Sequence, residues 1–139
     1  MENNNNVNEA FENQVSEYSI EEKVVAKIVK KVVDKVDGVL GLQGNILSSI
    51  TQSISNNQDS TSGIDVDIEN KTAVIKTNLI LEYGKKAPQV FNQLDRLVKE
   101  EVQSLTGIKV KAVKATITDM MTREEYRKDK ESSQENEEE

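Results

Sequence analysis

Apolar and polar positions recur along the chain with two different periods, and the first of these predicts a helix near the N-terminus. Between Ser19 and Gly38, apolar residues lie three or four positions apart, which is typical of an amphipathic helix. Ser19 and Glu22 have the spacing of a capping box, and Gly38 is suited to a left-handed helix end. The apolar positions of this first helix are Val25, Ile28, Val29, Val32 and Val36.

A second helical pattern begins near Pro88, a residue that helices accept in their first turn. It ends at Thr106 and Gly107. Its predicted apolar stripe consists of Val90, Leu94, Leu97, Val98, Val102 and Leu105.

Alternation of apolar and polar residues predicts a β-hairpin between the two helices. If Asn70 and Lys71 form a two-residue turn, Ile64 faces Thr77 and Ile68 faces Ala73. A short apolar stretch after Gly38 resembles a further strand. A last strand follows the second helix, with a change of phase near Ala112 and Val113 that suits a bulge.

The order helix, hairpin, helix, strand predicts an α+β fold. Two helices with apolar stripes and a sheet with one apolar face build a two-layer sandwich, in which both helices pack on one face of a small mixed β-sheet. A right-handed crossover through the second helix would place the last strand parallel to the second hairpin strand.

Charge divides the chain into a central domain and two acidic ends. The net charge is -7, but residues 1–18 hold four acids and no base, and residues 123–139 hold eight acids and four bases. Each end therefore carries -4, and residues 19–122 carry +1. We expect 1–18 to be a disordered Asn-rich tail and 123–139 an acidic tail that is at most transiently helical. The folded domain is then 19–122.

Within the domain, the polar segment 43–63 is expected to be flexible. It contains Ile46, Ile50 and Ile54 at helical spacing, and no predicted element of the domain uses them. They are a possible interaction surface, together with the open edge of the hairpin.

Composition narrows the possible chemistry. The chain has no cysteine and no histidine, which excludes disulfides, thiolate metal sites and cysteine nucleophiles and removes the commonest general base. We expect no catalytic residue, no cofactor and no metal site. No run of about 18 apolar residues and no secretion signal appears, so we expect a soluble, intracellular protein.

Two glycine motifs resemble ligand-binding loops. Gly84 precedes Lys85 and Lys86, but a P-loop needs a second glycine and a Ser or Thr after the lysine, so a structural corner is favoured. The stretch "GLQG", Gly41 to Gly44, has the G-x-x-G spacing of a KH-type RNA clamp, although a plain turn is favoured here too.

Two sets of charged residues could bind ligands or simply face water. One is the lysine stripe of the first helix, which could contact anionic lipid or nucleic acid: Lys23, Lys27, Lys31 and Lys35. The other is an acidic row that could hold a hard cation: Asp65, Asp67 and Glu69. A solvated surface is the simpler interpretation of both.

Several segments, in this order and spacing, resemble the alkaline shock protein family of Gram-positive bacteria. They include "YSIEEKVVAKI", "VDGVLGLQG", "GIDVDIENKTAVIKTNLILEYGKKAPQVF", "VKEEVQSLTGIKV" and "DMMTREEYRK". The signature positions are Gly38 with Val39, Tyr83 with Gly84, and Thr106 with Gly107.

This resemblance implies a non-enzymatic envelope stress protein. Such proteins are cytoplasmic and gather at the inner face of the cell membrane through a membrane-anchored protein partner, and we expect a homo-oligomer. Neither nucleic acid binding nor direct membrane insertion is expected. An RNA-binding or enzyme-regulating α+β module is the alternative. The lysines of the last strand, Lys109, Lys111 and Lys114, suggest RNA binding, and the acidic row of the hairpin suggests an enzyme-regulating role.

Overall fold

The structure is a computed structural model that describes residues 15–44 and 61–138, with side chains as far as Glu131. The segment with Ile46, Ile50 and Ile54, and most of the expected flexible stretch 43–63, lies outside the described residues. Residues 1–14 lie outside them as well.

Three helices and four strands make up the described part of the chain, which confirms the predicted α+β fold. In chain order they are α1 (Glu22–Val33), β1 (Val39–Leu42), β2 (Ile64–Glu69), β3 (Thr72–Glu82), α2 (Ala87–Thr106), β4 (Lys109–Met121) and α3 (Arg123–Glu138).

The β2–β3 hairpin has the predicted register. Ile64 pairs with Thr77 and Ile68 with Ala73. The turn residues Asn70 and Lys71 have φ values of 54° and 62°, as two-residue hairpin turns that match the sheet twist require.

Strand β3 is the centre of a mixed sheet. Strand β4 lies parallel to it from Thr72 to Glu82, as the crossover argument predicts. Because β4 occupies that whole edge, β1 and β2 share the other edge and lie end to end along it. The register of β4 shifts at Lys111, next to the predicted bulge, and again at Thr118.

Helices α1 and α2 cover one face of the sheet and enclose the core. Fully buried residues come from both helices and from β3, including Val25, Val29, Leu94, Ile75 and Leu79. Burying such aliphatic side chains contributes about 1.5–3 kcal/mol each.

The prediction that Leu105 belongs to the apolar stripe of α2 is wrong, since 63% of Leu105 is exposed. Thr106 lies one helical turn beyond Val102 and continues the buried face, so Leu105 is rotated away from it.

The start of α1 differs from the predicted capping box. Glu21, in extended conformation, is the N-cap, and no side chain caps the helix. The Glu22 carboxylate instead accepts a 3.4 Å hydrogen bond from the Ile68 N–H of β2. The helix ends at Val33, and Gly38 takes its left-handed conformation in the turn before β1.

The C-terminal segment forms α3, where composition predicts a fraying segment. A capping box starts this helix. The Glu125 N–H donates to Thr122 Oγ1 at 3.1 Å, and the Thr122 N–H donates to Glu125 Oε1 at 2.8 Å.

Candidate functional site

The six signature residues lie in two clusters at opposite ends of β3. At one end, the Glu82 N–H donates to the Gly38 carbonyl at 2.8 Å, which joins the Gly38–Val39 turn to the start of Tyr83–Gly84. At the other end, Thr106 and Gly107 connect α2 to β4, whose first residue bonds the hairpin turn. The structure therefore does not bring all six into one site.

The first cluster is a corner in which Gly38 is buried, Val39 is half-buried, and Tyr83 and Gly84 are exposed. Its neighbour Lys85 makes a 3.1 Å ion pair with Asp37 across the turn. This ion pair agrees with the prediction that Gly84 and Lys85 form a structural corner, and it differs from the arrangement of a phosphate-binding loop. Tyr83 is 71% exposed, so its ring is available on the surface.

The second cluster closes the C-terminus of α2. Thr106 Oγ1 donates to the Val102 carbonyl at 2.6 Å and accepts from the Ile108 N–H at 3.0 Å. The Tyr18 hydroxyl donates to the Thr106 carbonyl at 2.9 Å, so a residue from the edge of the N-terminal tail fastens the same helix end. These bonds satisfy polar groups that a helix end otherwise exposes.

The first turns of α3 dock on the sheet face that α1 and α2 leave uncovered, hereafter the outer face. Tyr126 lies against Gly41, where any Cβ would collide with its hydroxyl. Arg123 Nε donates to Glu82 Oε2 at 3.2 Å. That hydrogen bond and the Glu82 charge raise the pKa of Arg123 above its ordinary value.

Sequence reasoning missed this docking site, although the Thr-x-x-Glu spacing of Thr122 and Glu125 was a usable signal. The structure also differs from the KH-clamp interpretation of the G-x-x-G stretch. Gly41 lies inside β1 and pairs with Ile80 of β3, whereas a KH clamp is a loop between two helices.

The outer face carries opposite charges on its two sides. The acidic row of Asp65, Asp67 and Glu69 lies on β2. The lysine row of Lys109, Lys111 and Lys114 lies on β4, with β3 between them. Near the hairpin turn the two rows line a shallow open depression. Within the described ranges, no group of three acidic side chains is placed to hold a metal ion.

The lysine stripe of α1 points into solvent. Lys23 and its companions at 27 and 31 are exposed on α1, and Lys35 is exposed just beyond the end of the helix. On the other side of the helix, Val25, Val29 and Val32 are buried in the core. The apolar face of this helix is therefore already committed to the sheet.

These features define a small two-layer α+β domain with an open, charged sheet face and a basic helix surface. The sequence profile of the alkaline shock protein family, described as having a cell envelope-related function, matches residues 10–122. The chain belongs to this family, which confirms the resemblance seen in the sequence.

Curated relatives carry a related name. Proteins named stress response regulator gls24 homolog, from Streptococcus pyogenes serotypes M3 and M1, are 28% identical over 114 residues, or 82% of this chain. The chain spans 64% of the length of these relatives. Neither their name nor the family description is that of an enzyme. No solved structure matches the chain.

The helices also differ from membrane-spanning segments. Among the helices in the described ranges, none combines the length and the apolar character needed to cross a bilayer.

Proposed function

We propose that this protein is a non-enzymatic scaffold of the envelope stress response, held at the inner face of the cell membrane by a membrane-anchored protein partner. The cell envelope-related description of the family and the stress-response name of the relatives support the setting. Self-association of the scaffold belongs to the same proposal.

The observation that carries recruitment by a partner is the burial of the apolar side of α1. A helix that binds a membrane directly inserts its apolar face into the lipid boundary. Here Val25 and Val29 are fully buried against the sheet. The exposed side of α1 keeps the lysines and a single exposed large apolar residue, Val24. The lysines contribute about 1 kcal/mol each near an anionic surface, and the acidic chain ends oppose them.

Localisation in cells tests the proposal. A fluorescent fusion should outline the membrane when the partner is present and spread through the cytoplasm when the partner is deleted. Purified protein should not float with anionic vesicles at physiological salt. Strong flotation by the protein alone would refute the proposal and assign membrane binding to the α1 lysines.

A matched pair of variants sharpens the vesicle experiment. Lys27→Glu changes the exposed stripe of α1, whereas Arg96→Glu changes an exposed residue of α2. If recruitment is mediated by a partner, both variants should behave alike with vesicles. Selective loss of binding in Lys27→Glu would indicate direct contact with lipid.

An RNA-binding role is less well supported. The lysine row of β4 lies on the same face as the acidic row of β2, so the face as a whole offers no uniform basic surface to a phosphate backbone. Retention of RNA that weakens steeply as salt rises would favour this alternative.

A further inference from the structure

The two free edges of the sheet differ in how much of their backbone is already bonded. In the hairpin, Glu69 and Thr72 flank the two-residue turn as a hydrogen-bonded pair, so Ile64, Val66 and Ile68 direct their N–H groups away from β3. The Ile64 N–H donates to the Thr61 carbonyl at 3.0 Å, and the Ile68 N–H donates to Glu22 at 3.4 Å. Two of these three outward amides are therefore occupied, and the hairpin edge is less open than the sequence indicated.

The free edge of β4 is open over a regular stretch. Bulges at Lys111 and Thr118 delimit Ala112–Ile117, and Val113 pairs with Ile75 in the parallel ladder. In a parallel ladder, the backbone N–H and C=O groups of alternate residues point toward the neighbouring strand. Asn78 of β3 bonds the opposite edge, so its ladder partner Thr116 is the one that bonds β3. The backbone groups of Val113, Ala115 and Ile117 therefore point away from β3. In the part of the chain that the structure describes, nothing bonds these outward groups.

The side chains along this edge define what could pair with it. Lys114 lies on the outer face, and Lys111 precedes it at the bulge; neither forms an ion pair with any described residue. On the inner face, Val113 is buried and Ile117 is half-buried against the core. An added strand would need acidic residues on one face and apolar residues on the other.

A second copy of the chain fits this edge poorly. Two β4 edges related by a twofold axis would bring their lysine rows together, which is unfavourable because like charges opposite each other repel. Pairing β2 of another copy with β4 would require Glu22 and Thr61 to release the β2 edge. The charge pattern and the blocked hairpin edge both favour a different chain.

We infer that the Ala112–Ile117 edge of β4 binds an extended segment of the membrane-anchored partner in which acidic and apolar residues alternate, by addition of a strand to the sheet. The identity of the partner rests on the proposed function, whereas the chemistry of the edge does not. Backbone hydrogen bonds would supply affinity, and Lys111 and Lys114 would select for acidic side chains.

A synthetic peptide tests the edge directly. The probe has the sequence of residues 63–70, "GIDVDIEN", which alternates as the edge requires. The control peptide has its three acidic residues replaced by lysine. With the full-length ¹⁵N-labelled protein, the probe should shift the amide signals of Val113, Ala115 and Ile117 and slow their hydrogen exchange. The control peptide should do neither.

Two variants of the β4 edge test whether its backbone and its lysine bind the probe. Ala115→Pro removes one outward N–H at a position where an edge strand tolerates proline, and binding of the probe should fall about tenfold. Lys114→Glu should reverse the preference between the two peptides. Lys35→Glu, at an exposed position just after α1, is the matched control and should bind the probe like the wild type. Circular dichroism checks that each variant folds.

Three outcomes would overturn the inference. The first is that the amides of the β4 edge do not respond to millimolar probe. The second is that they become protected as protein concentration rises without peptide, because the occupant would then be a second copy. The third is that Lys114→Glu loses the probe in solution but still reaches the membrane through the partner. That last result would leave recruitment itself standing, whereas a wild-type protein that reaches the membrane without any partner would refute the proposed function and not the edge.

Discussion

Gly38 and Gly84 form a matched pair for testing how tightly the signature corner is packed. Both have φ near +100°, a conformation that side chains with a Cβ rarely adopt. A Cβ on Gly38 would lie 2.9 Å from Val90 Cγ2 and 3.3 Å from Lys85 Cγ, whereas a Cβ on Gly84 would meet nothing within 4 Å. Replacing either glycine with alanine therefore has the same backbone cost, but only the alanine at position 38 is crowded by neighbouring side chains.

The expected losses of stability follow from these two contributions. Holding alanine at positive φ costs about 1–2 kcal/mol, and Gly84→Ala should lose about that much. Val90 is only 5% exposed and cannot move without disturbing the packing of α2. Crowding of a packed interior costs roughly 1–3 kcal/mol, so Gly38→Ala should lose about 2–5 kcal/mol in total.

Urea unfolding followed by circular dichroism measures both losses. A third variant, Gly38→Ala with Val90→Ala, removes the crowded methyl groups. Its loss should be smaller than the sum of the two single losses by about 1 kcal/mol or more, because the two residues are in contact. Equal losses for Gly38→Ala and Gly84→Ala would refute the reasoning, since they would show that Val90 yields without cost.

Three further predictions concern other parts of the fold. Removing residues 127–139 should leave the free energy of unfolding unchanged. Removing residues 123–139 should lower it by about 1 kcal/mol, because the contact of Tyr126 with the sheet is lost. Equal effects of the two deletions would show that the docked turn contributes nothing to stability. Thr106→Val should cost about 1–3 kcal/mol and Thr106→Ser much less, measured by urea unfolding, because only serine keeps both hydrogen bonds of the hydroxyl. Adding millimolar calcium or magnesium should not raise the melting temperature; a clear rise would show that the acidic row of β2 binds a cation.

Sequence rules predicted correctly those parts of the fold that a single turn or connection determines. The hairpin register follows from a two-residue turn at Asn70 and Lys71, because shifting the register by one residue would turn its apolar side chains toward water. The parallel placement of β4 follows from the handedness of the crossover through α2.

The features that sequence reasoning missed depend on contacts between distant residues. Glu22 bonds β2 instead of capping its own helix, and only the folded chain brings Ile68 beside it. The docking of α3 depends on Tyr126 reaching Gly41 of β1. Its acidic composition gives no sign of this contact, because the contacts seen among the described side chains come from an aromatic residue, Tyr126, and a basic residue, Arg123.

The two strands that share one edge of β3 meet at Asn78. The Gln43 N–H donates to the Asn78 carbonyl at 3.0 Å, and the Asn78 N–H donates to the Gly63 carbonyl at 3.1 Å. Both ends of the intervening stretch are thus fixed to one residue, independently of how many residues connect them. Doubling the length of such a connection costs only about 0.6 kcal/mol. Evolution can therefore lengthen or shorten the chain at this place, and a reporter domain can be inserted there, without shifting the register of either strand.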